Sequence, residues 1–282
     1  LLAAIYFRPL SIAFAARSIY IRAIGMKSAF TQVGPHRIHY FVGGEGPPLV
    51  LVHGVAMRAE DWAPLLRALK QRHRVYAPDL LGYGESDKPR DADYSVATQA
   101  EIVRGFLDAM RLQKPDVAGV SMGGWVALKL ASEHPQRVQR LVLLSSAGLG
   151  FQSTLKETSF SATTVEEQRA SFALQTERAR LLPEFVIRDF LRRSRDKAWI
   201  VRASMRSMLT RRDLLLDGRL QRVRMPVLIV SGTADLIVPY DVAVRLQREL
   251  PHARLVPLEG CGHLAAFECS DEALRAMREF LR

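Results

Sequence analysis

The chain has 282 residues, 48% of them hydrophobic, with 40 Lys and Arg against 29 Asp and Glu and a formal charge of +11. That length and apolar share are those of an ordinary globular protein, either one large domain or a core domain with an insertion. The basic balance, with a pI of about 10.1, suits nucleic acid, an anionic membrane surface or acidic partners, but no nucleic-acid motif is present and no nucleic-acid partner is expected.

Residues 1–29 are apolar but broken by Arg8, Pro9, Arg17, Arg22 and Lys27, so no run reaches the roughly 18–20 apolar residues of a spanning helix. On a helix, Arg8, Ser11, Ala15, Ser18 and Arg22 share one face; Leu10, Phe14, Ile21 and Ile24 lie opposite, with Arg17 intruding. This is the pattern of a helix lying on an anionic membrane, and equally of one packed on its own domain or on a partner subunit in an oligomer. The chain does not begin with Met, which leaves room for an upstream segment. A cytoplasmic or a peripheral membrane location is expected.

Residues 30–53 read as strands: Arg37–Val42, then Pro48–Val52, with Gly43, Gly44 and Gly46 turning between them. The second is apolar throughout, as a strand buried on both faces should be. After His53 and Gly54 comes a helix with Trp62, Leu65, Leu66 and Leu69 on one stripe. Strand 74–78 leads into the loop Asp79-Leu80-Leu81-Gly82-Tyr83-Gly84-Glu85-Ser86. Helix 95–111, strand 115–120, helix 123–133 and strand 140–145 follow. Such alternation implies a parallel sheet with helices on both faces.

The alternation stops near residue 150. Residues 150–224 read as helical, and 177–224 hold 14 Lys and Arg against 6 Asp and Glu. It then resumes with strand 226–231, helix 240–249, strand 253–257 and helix 270–281. The expected organisation is a core of residues 30–149 and 225–282, with 150–224 inserted as a helical cap over the sheet edge where such sheets bind ligands. The cap's charge reads as a solvated face rather than a binding site.

The chemistry centres on Gly119-Val120-Ser121-Met122-Gly123, set between a short apolar strand and a helix-forming run. A sharp strand-to-helix turn projects the serine hydroxyl, Gly119 and Gly123 let the two elements approach, and the helix N-terminus faces any charge that develops there. A serine hydroxyl needs a base, and the base needs a carboxylate to hold it. His263, in a glycine-flanked loop, is the candidate base, and Asp235 the candidate orienter. Asp79 and Glu259 are rival carboxylates. His36, His39, His73, His134 and His252 read as surface or structural. His53, at the end of a buried strand, is expected to fix the following loop by hydrogen bonding. Cys261 and Cys269 are expected as free thiols, as in a reducing compartment. No metal-ligand cluster appears.

These motifs, His53-Gly54, Gly82 to Ser86, Gly119 to Gly123, Gly232-Thr233-Ala234-Asp235 and Gly262-His263, resemble the α/β-hydrolase superfamily over residues 30–282, in the family's order of Ser, Asp, His. The resemblance implies Ser121 as nucleophile, His263 as base and then acid, Asp235 as its orienter, and an oxyanion hole from the backbone N–H groups of Val55 and Met122. It implies no metal or organic cofactor. Epoxide hydrolases and haloalkane dehalogenases of this fold carry Asp where Ser121 stands. The His53-Gly54-Val55 segment is similar to that of small-ester hydrolases, monoacylglycerol lipases and C–C bond hydrolases, not to the H-G-G-G lipases. The expected substrate is a small-molecule carboxylic ester with a lipophilic acyl chain. C–C hydrolysis, acyl transfer or perhydrolysis at the same residues is the alternative, and a non-catalytic ligand-binding protein a more distant one.

Overall fold

A computed structural model describes residues 9–176 and 182–282. Its centre is an eight-stranded sheet, with strands in the order β1 (Lys27–Val33), β2 (His36–Gly43), β4 (Arg74–Pro78), β3 (Pro48–Val52), β5 (Asp116–Val120), β6 (Leu141–Leu144), β7 (Val227–Gly232) and β8 (Arg254–Leu258). β1 pairs antiparallel with β2, and β2 with β4; every later pairing is parallel. The mostly parallel sheet with flanking helices is the α/β-hydrolase fold.

The central strands explain the layering. Successive side chains point to opposite faces of a sheet, so an unbroken apolar strand feeds two cores. Val50, Val52, Val117, Leu141 and Leu143 join the core beneath α3 (Val96–Ala109), α4 (Met122–Glu133) and α8 (Tyr240–Glu249). Leu49, Leu51, Ala118, Val142 and Leu144 join the opposite core, beneath α2 (Ala63–Leu69) and α10 (Ser270–Phe280). Gly44 lies between β2 and β3 with φ +82°, and a Cβ there would sit 2.3 Å from the His73 carbonyl oxygen, so only glycine fits.

Between β6 and β7 the chain leaves the sheet and forms α5 (Val165–Gln175), α6 (Glu184–Ser194) and α7 (Ala198–Thr210). α5 starts at a capping box, in which the Thr164 hydroxyl accepts from the Glu167 N–H and the Glu167 carboxylate accepts from the Thr164 N–H.

The N-terminal segment ends earlier than expected, because Lys27–Ala29 belong to β1. Its helix α1 (Pro9–Ala23) is docked on the chain itself. Ile21 is fully buried, the Ser18 hydroxyl donates to Glu60, Arg17 pairs with Asp61, and the Leu10 N–H donates to Asp189. The Leu10, Phe14 and Ile21 face therefore turns to protein. A third face, with Ile12, Ile19 and Tyr20, turns to solvent, Ile19 being 66% exposed. Arg8 lies outside the described residues. No described helix is long and apolar enough to cross a membrane.

The expectation of free thiols is corrected. Cys261 and Cys269 form a disulfide, with Cα atoms 6.5 Å apart across a separation of eight residues. Cys261 follows β8, and Cys269 sits between the short α9 (Ala265–Glu268) and α10. The intervening chain doubles back, which cysteine number alone cannot reveal.

Candidate active site

β5 ends and α4 begins at Ser121, whose backbone has φ 54° and ψ −121°. A non-glycine residue there stores strain of roughly 1–3 kcal/mol and persists only where its surroundings enforce it. They do so through close packing. A Cβ on Gly119 would lie 2.2 Å from the Gly123 carbonyl oxygen, and one on Gly123 2.2 Å from the Val52 carbonyl oxygen. Strand and helix touch backbone to backbone, and the serine is pushed out of the bend.

Asp235 follows β7 and His263 follows β8. Two backbone hydrogen bonds zip these loops together, Thr233 N–H to the Leu258 carbonyl and Ala234 N–H to the Cys261 carbonyl, each 3.0 Å. Gly232 permits it, since a Cβ there would sit 2.2 Å from the Cys261 carbonyl oxygen. The result is a continuous chain of contacts. His263 Nε2 lies 2.9 Å from Ser121 Oγ, and His263 Nδ1 lies 2.8 Å from Asp235 Oδ2. The other Asp235 oxygen accepts from the Ile237 and Val238 N–H groups. The carboxylate is thus fixed from behind, the imidazole proton sits on Nδ1, and Nε2 is left to accept the serine proton. All three residues are buried.

His53 holds the loop after β3. Its Nδ1–H donates to the Gly54 carbonyl at 2.8 Å, and its Nε2 accepts from the Leu80 N–H at 3.0 Å. Burial keeps its pKa below the ordinary 6.5, outweighing the nearby Asp79 charge, so both bonds belong to a neutral ring. Gly54 packs against Ser121, a Cβ there being 3.3 Å from Ser121 Cβ. Val55 and Met122 border the same cavity as Ser121. Neither N–H donates to a protein acceptor among the described residues.

That cavity, about 320 Å³, is lined by Trp125, Leu149, Phe160, Met205 and Ile237, with Arg212 as a charged residue. Phe160 and Met205 come from the insertion and carry no pattern by which the sequence could single them out. Glu268 is a further positioning group, since its carboxylate accepts the Gly262 N–H at 3.0 Å beside His263.

The rival carboxylates go elsewhere. Glu259 accepts from the Thr233 hydroxyl. Asp79 accepts from His39 Nδ1 at 2.7 Å and from the Ala59 and Glu85 N–H groups. Burial pushes its carboxyl up, but these bonds, that from His39 foremost, leave it below the usual range. His39 Nε2 in turn faces the Ser28 hydroxyl at 2.8 Å. The described residues hold no group of three or more metal-ligating side chains.

A family model described as alpha/beta hydrolase fold matches residues 47–269. The chain is 32% identical over 256 residues to a 2-hydroxymuconate semialdehyde hydrolase of Pseudomonas sp. (strain CF600), covering 84% of this chain and 88% of that one. It is 31% identical over 243 residues to a pimeloyl-[acyl-carrier protein] methyl ester esterase of Nitrosomonas europaea, covering 80% and 92%. Among solved structures, a membrane phospholipase A superposes with a TM-score of 0.87 at 27% identity, covering 99% of this chain and 93% of that one.

Proposed function

The chain belongs to the α/β-hydrolase family, and on that premise we propose that it is a serine hydrolase that cleaves carboxylic esters through an acyl-enzyme on Ser121. The observation that carries this reading is the strained Ser121 at the wall of an apolar cavity, in hydrogen-bond reach of a histidine held by Asp235. His263 Nε2 takes the hydroxyl proton as Oγ attacks the carbonyl carbon. The Val55 and Met122 N–H groups receive the oxyanion, a donor set in which each member is worth about 10²–10³ in rate. His263 then protonates the leaving alcohol. Water, deprotonated by the same nitrogen, releases the acid.

The cavity lining supports a lipophilic acyl group, because Trp125, Leu149, Phe160, Met205 and Ile237 offer it apolar surface. The exposed Ile12, Ile19 and Tyr20 support contact of α1 with a membrane surface. The disulfide supports an oxidising compartment for residues 261–269. Initial rates on p-nitrophenyl esters from acetate to palmitate test the reading: activity with an optimum at a medium or long acyl chain is expected, and inactivity on every ester would overturn it.

The Pseudomonas relatives support a second reading, C–C bond hydrolysis at the same residues. Product analysis separates the two, since ester cleavage releases an alcohol and C–C cleavage does not.

A further inference from the structure

A second cavity, about 490 Å³, opens beneath α1, between that helix, the loop after β3 and the inserted helices. It borders the active site in two ways. Phe160 lines both cavities, and Ala56 and Met57 line this one, immediately after Val55 lines the other. Phe160 is therefore a common wall of the two cavities.

Its walls combine an apolar floor with cationic groups. Arg17, Arg58, Arg193 and Lys197 line it, against Asp61 as the carboxylate. Three of the guanidiniums gather round one ring: those of Arg58, Arg193 and Arg17 lie 4.2, 4.7 and 5.7 Å from the centre of Phe14. Arg17 pairs with Asp61, and Arg58 with Glu60. Arg193 donates to the Ser11 hydroxyl and has no carboxylate partner among the described residues, and neither has Lys197. Two exposed cations without a carboxylate partner beside two paired ones leave the mouth of this cavity net positive, a charge that an anion would offset.

We propose that this cavity receives the phosphate headgroup of a single-chain lipid whose acyl ester lies at Ser121 and whose acyl chain fills the neighbouring cavity. The assignment rests on the ester-hydrolase reading and names its substrate class. Guanidinium groups suit phosphate because their donors match its oxygens in pairs, and the Phe14, Tyr83, Ile200 and Val201 side chains give an amphiphile the apolar surface that free phosphate does not use.

The test has a binding arm and a turnover arm. In the first, octyl phosphate, 1-octanol and inorganic phosphate are titrated calorimetrically into wild type and into an Arg193→Gln/Lys197→Gln variant, two exposed positions whose replacement is checked by circular dichroism. Octyl phosphate should bind wild type about tenfold or more tightly than octanol, as two near-surface charges allow, and the variant should lose that preference. Equal binding of the two, a preference that survives in the variant, or inorganic phosphate binding as tightly as octyl phosphate would each overturn the proposal. In the second arm, a lysophosphatidylglycerol and the monoacylglycerol of the same chain length are compared by kcat/KM. The variant should lose about tenfold on the former and stay within about twofold on the latter. Equal losses, or equal rates on both lipids in wild type, keep the hydrolase reading and refute the headgroup site. Variant-sensitive binding of octyl phosphate with neither lipid hydrolysed refutes the role of the headgroup in a substrate while leaving the anion site intact, and only inactivity on the p-nitrophenyl esters as well refutes the hydrolase reading.

Discussion

The molecule contains two chains of serine, histidine and aspartate with nearly the same spacing. Ser121, His263 and Asp235 are joined by contacts of 2.9 and 2.8 Å; Ser28, His39 and Asp79 by contacts of 2.8 and 2.7 Å. Only their settings differ. Ser28 lies exposed on the edge strand β1, with a register partner in Phe41 and no left-handed backbone. None of its three residues borders the cavity in front of Ser121. Asp79 spends its remaining capacity on the Ala59 and Glu85 N–H groups, tying the segment after the Val55 loop to the Gly82–Ser86 loop. The hydrogen-bond relay is therefore common to both. A strained, projecting serine and an apolar cavity belong to one.

The largest expected effect breaks the comparison directly. Ser121→Ala should lower esterase kcat by about 10⁴–10⁶-fold, and Ser28→Ala should leave it within about twofold. A fluorophosphonate probe followed by peptide mapping should label Ser121 alone; label on Ser28 would make the edge relay a second site.

The two aspartates should separate rate from stability. Asp235→Asn is expected to cost about 10⁴ in kcat through the wrong histidine tautomer, on top of a stability loss from its own buried bonds to the Ile237 and Val238 N–H groups and His263. Asp79→Asn should cost stability alone. It leaves two N–H groups and His39 poorly matched in a buried site, for a loss of about 3 kcal/mol or more, while the folded fraction turns over at a rate within tenfold of wild type. Urea titration beside initial rates reads both, and equal kinetic losses would dissolve the distinction.

These pairs also show what was legible in the sequence. Apolar strands such as Pro48–Val52 and the Gly119–Gly123 turn were readable because their patterns are local: an unbroken apolar run after a glycine-rich turn, and glycines where backbone touches backbone. His263 and Asp235 were readable by chain order and glycine context, and the structure brings both to Ser121. His39 and Asp79 were not readable as a pair, since register alone joins β2 to the end of β4. The cavity lining from residues 150–224 was equally hidden, because Phe160 and Met205 sit in segments whose placement depends on how the inserted helices pack. The Cys261–Cys269 bridge was misread for the same reason: two thiols become a disulfide only when a loop folds back.

That bridge sharpens the comparison from the active side. It closes the loop that carries His263, whereas His39 is held by sheet pairing and by its hydrogen bonds to Ser28, Asp79 and Ser86. On the chain-entropy account, a closed loop of this length is worth about 2.5 kcal/mol. Cys261→Ser/Cys269→Ser should lower stability by roughly that amount and reduce kcat more than KM changes, because the histidine, not the cavity, loses restraint. A mild reductant on wild type should reproduce both effects if the bond is accessible to it. An unchanged kcat in the double variant would mean that Glu268 and the contacts between the β7 and β8 loops suffice to hold His263.

The smallest effect is the pH dependence of stability, and it acts through the structural residues. His53 sits below its ordinary 6.5 in the folded chain, mainly through burial. Below 6.5 the unfolded chain binds a proton that the folded chain resists, so stability is complete above 6.5 and is lost as pH falls towards the folded value. Asp79, held below its ordinary 3.8 by His39 and its N–H donors against the opposing effect of burial, adds a second loss at lower pH. Both run in the same direction, so acid should unfold the chain by way of the loop after β3 and the Asp79 network. Each group is limited to about 1.4 kcal/mol per pH unit. His53→Asn keeps a donor for the Gly54 carbonyl but does not titrate. Urea midpoints between pH 8 and 5 should fall less steeply in that variant than in wild type, on a lower baseline because the Leu80 N–H loses its acceptor. Parallel curves would show that His53 is not the group that acid attacks, and would leave Asp79 and its neighbours to account for the slope.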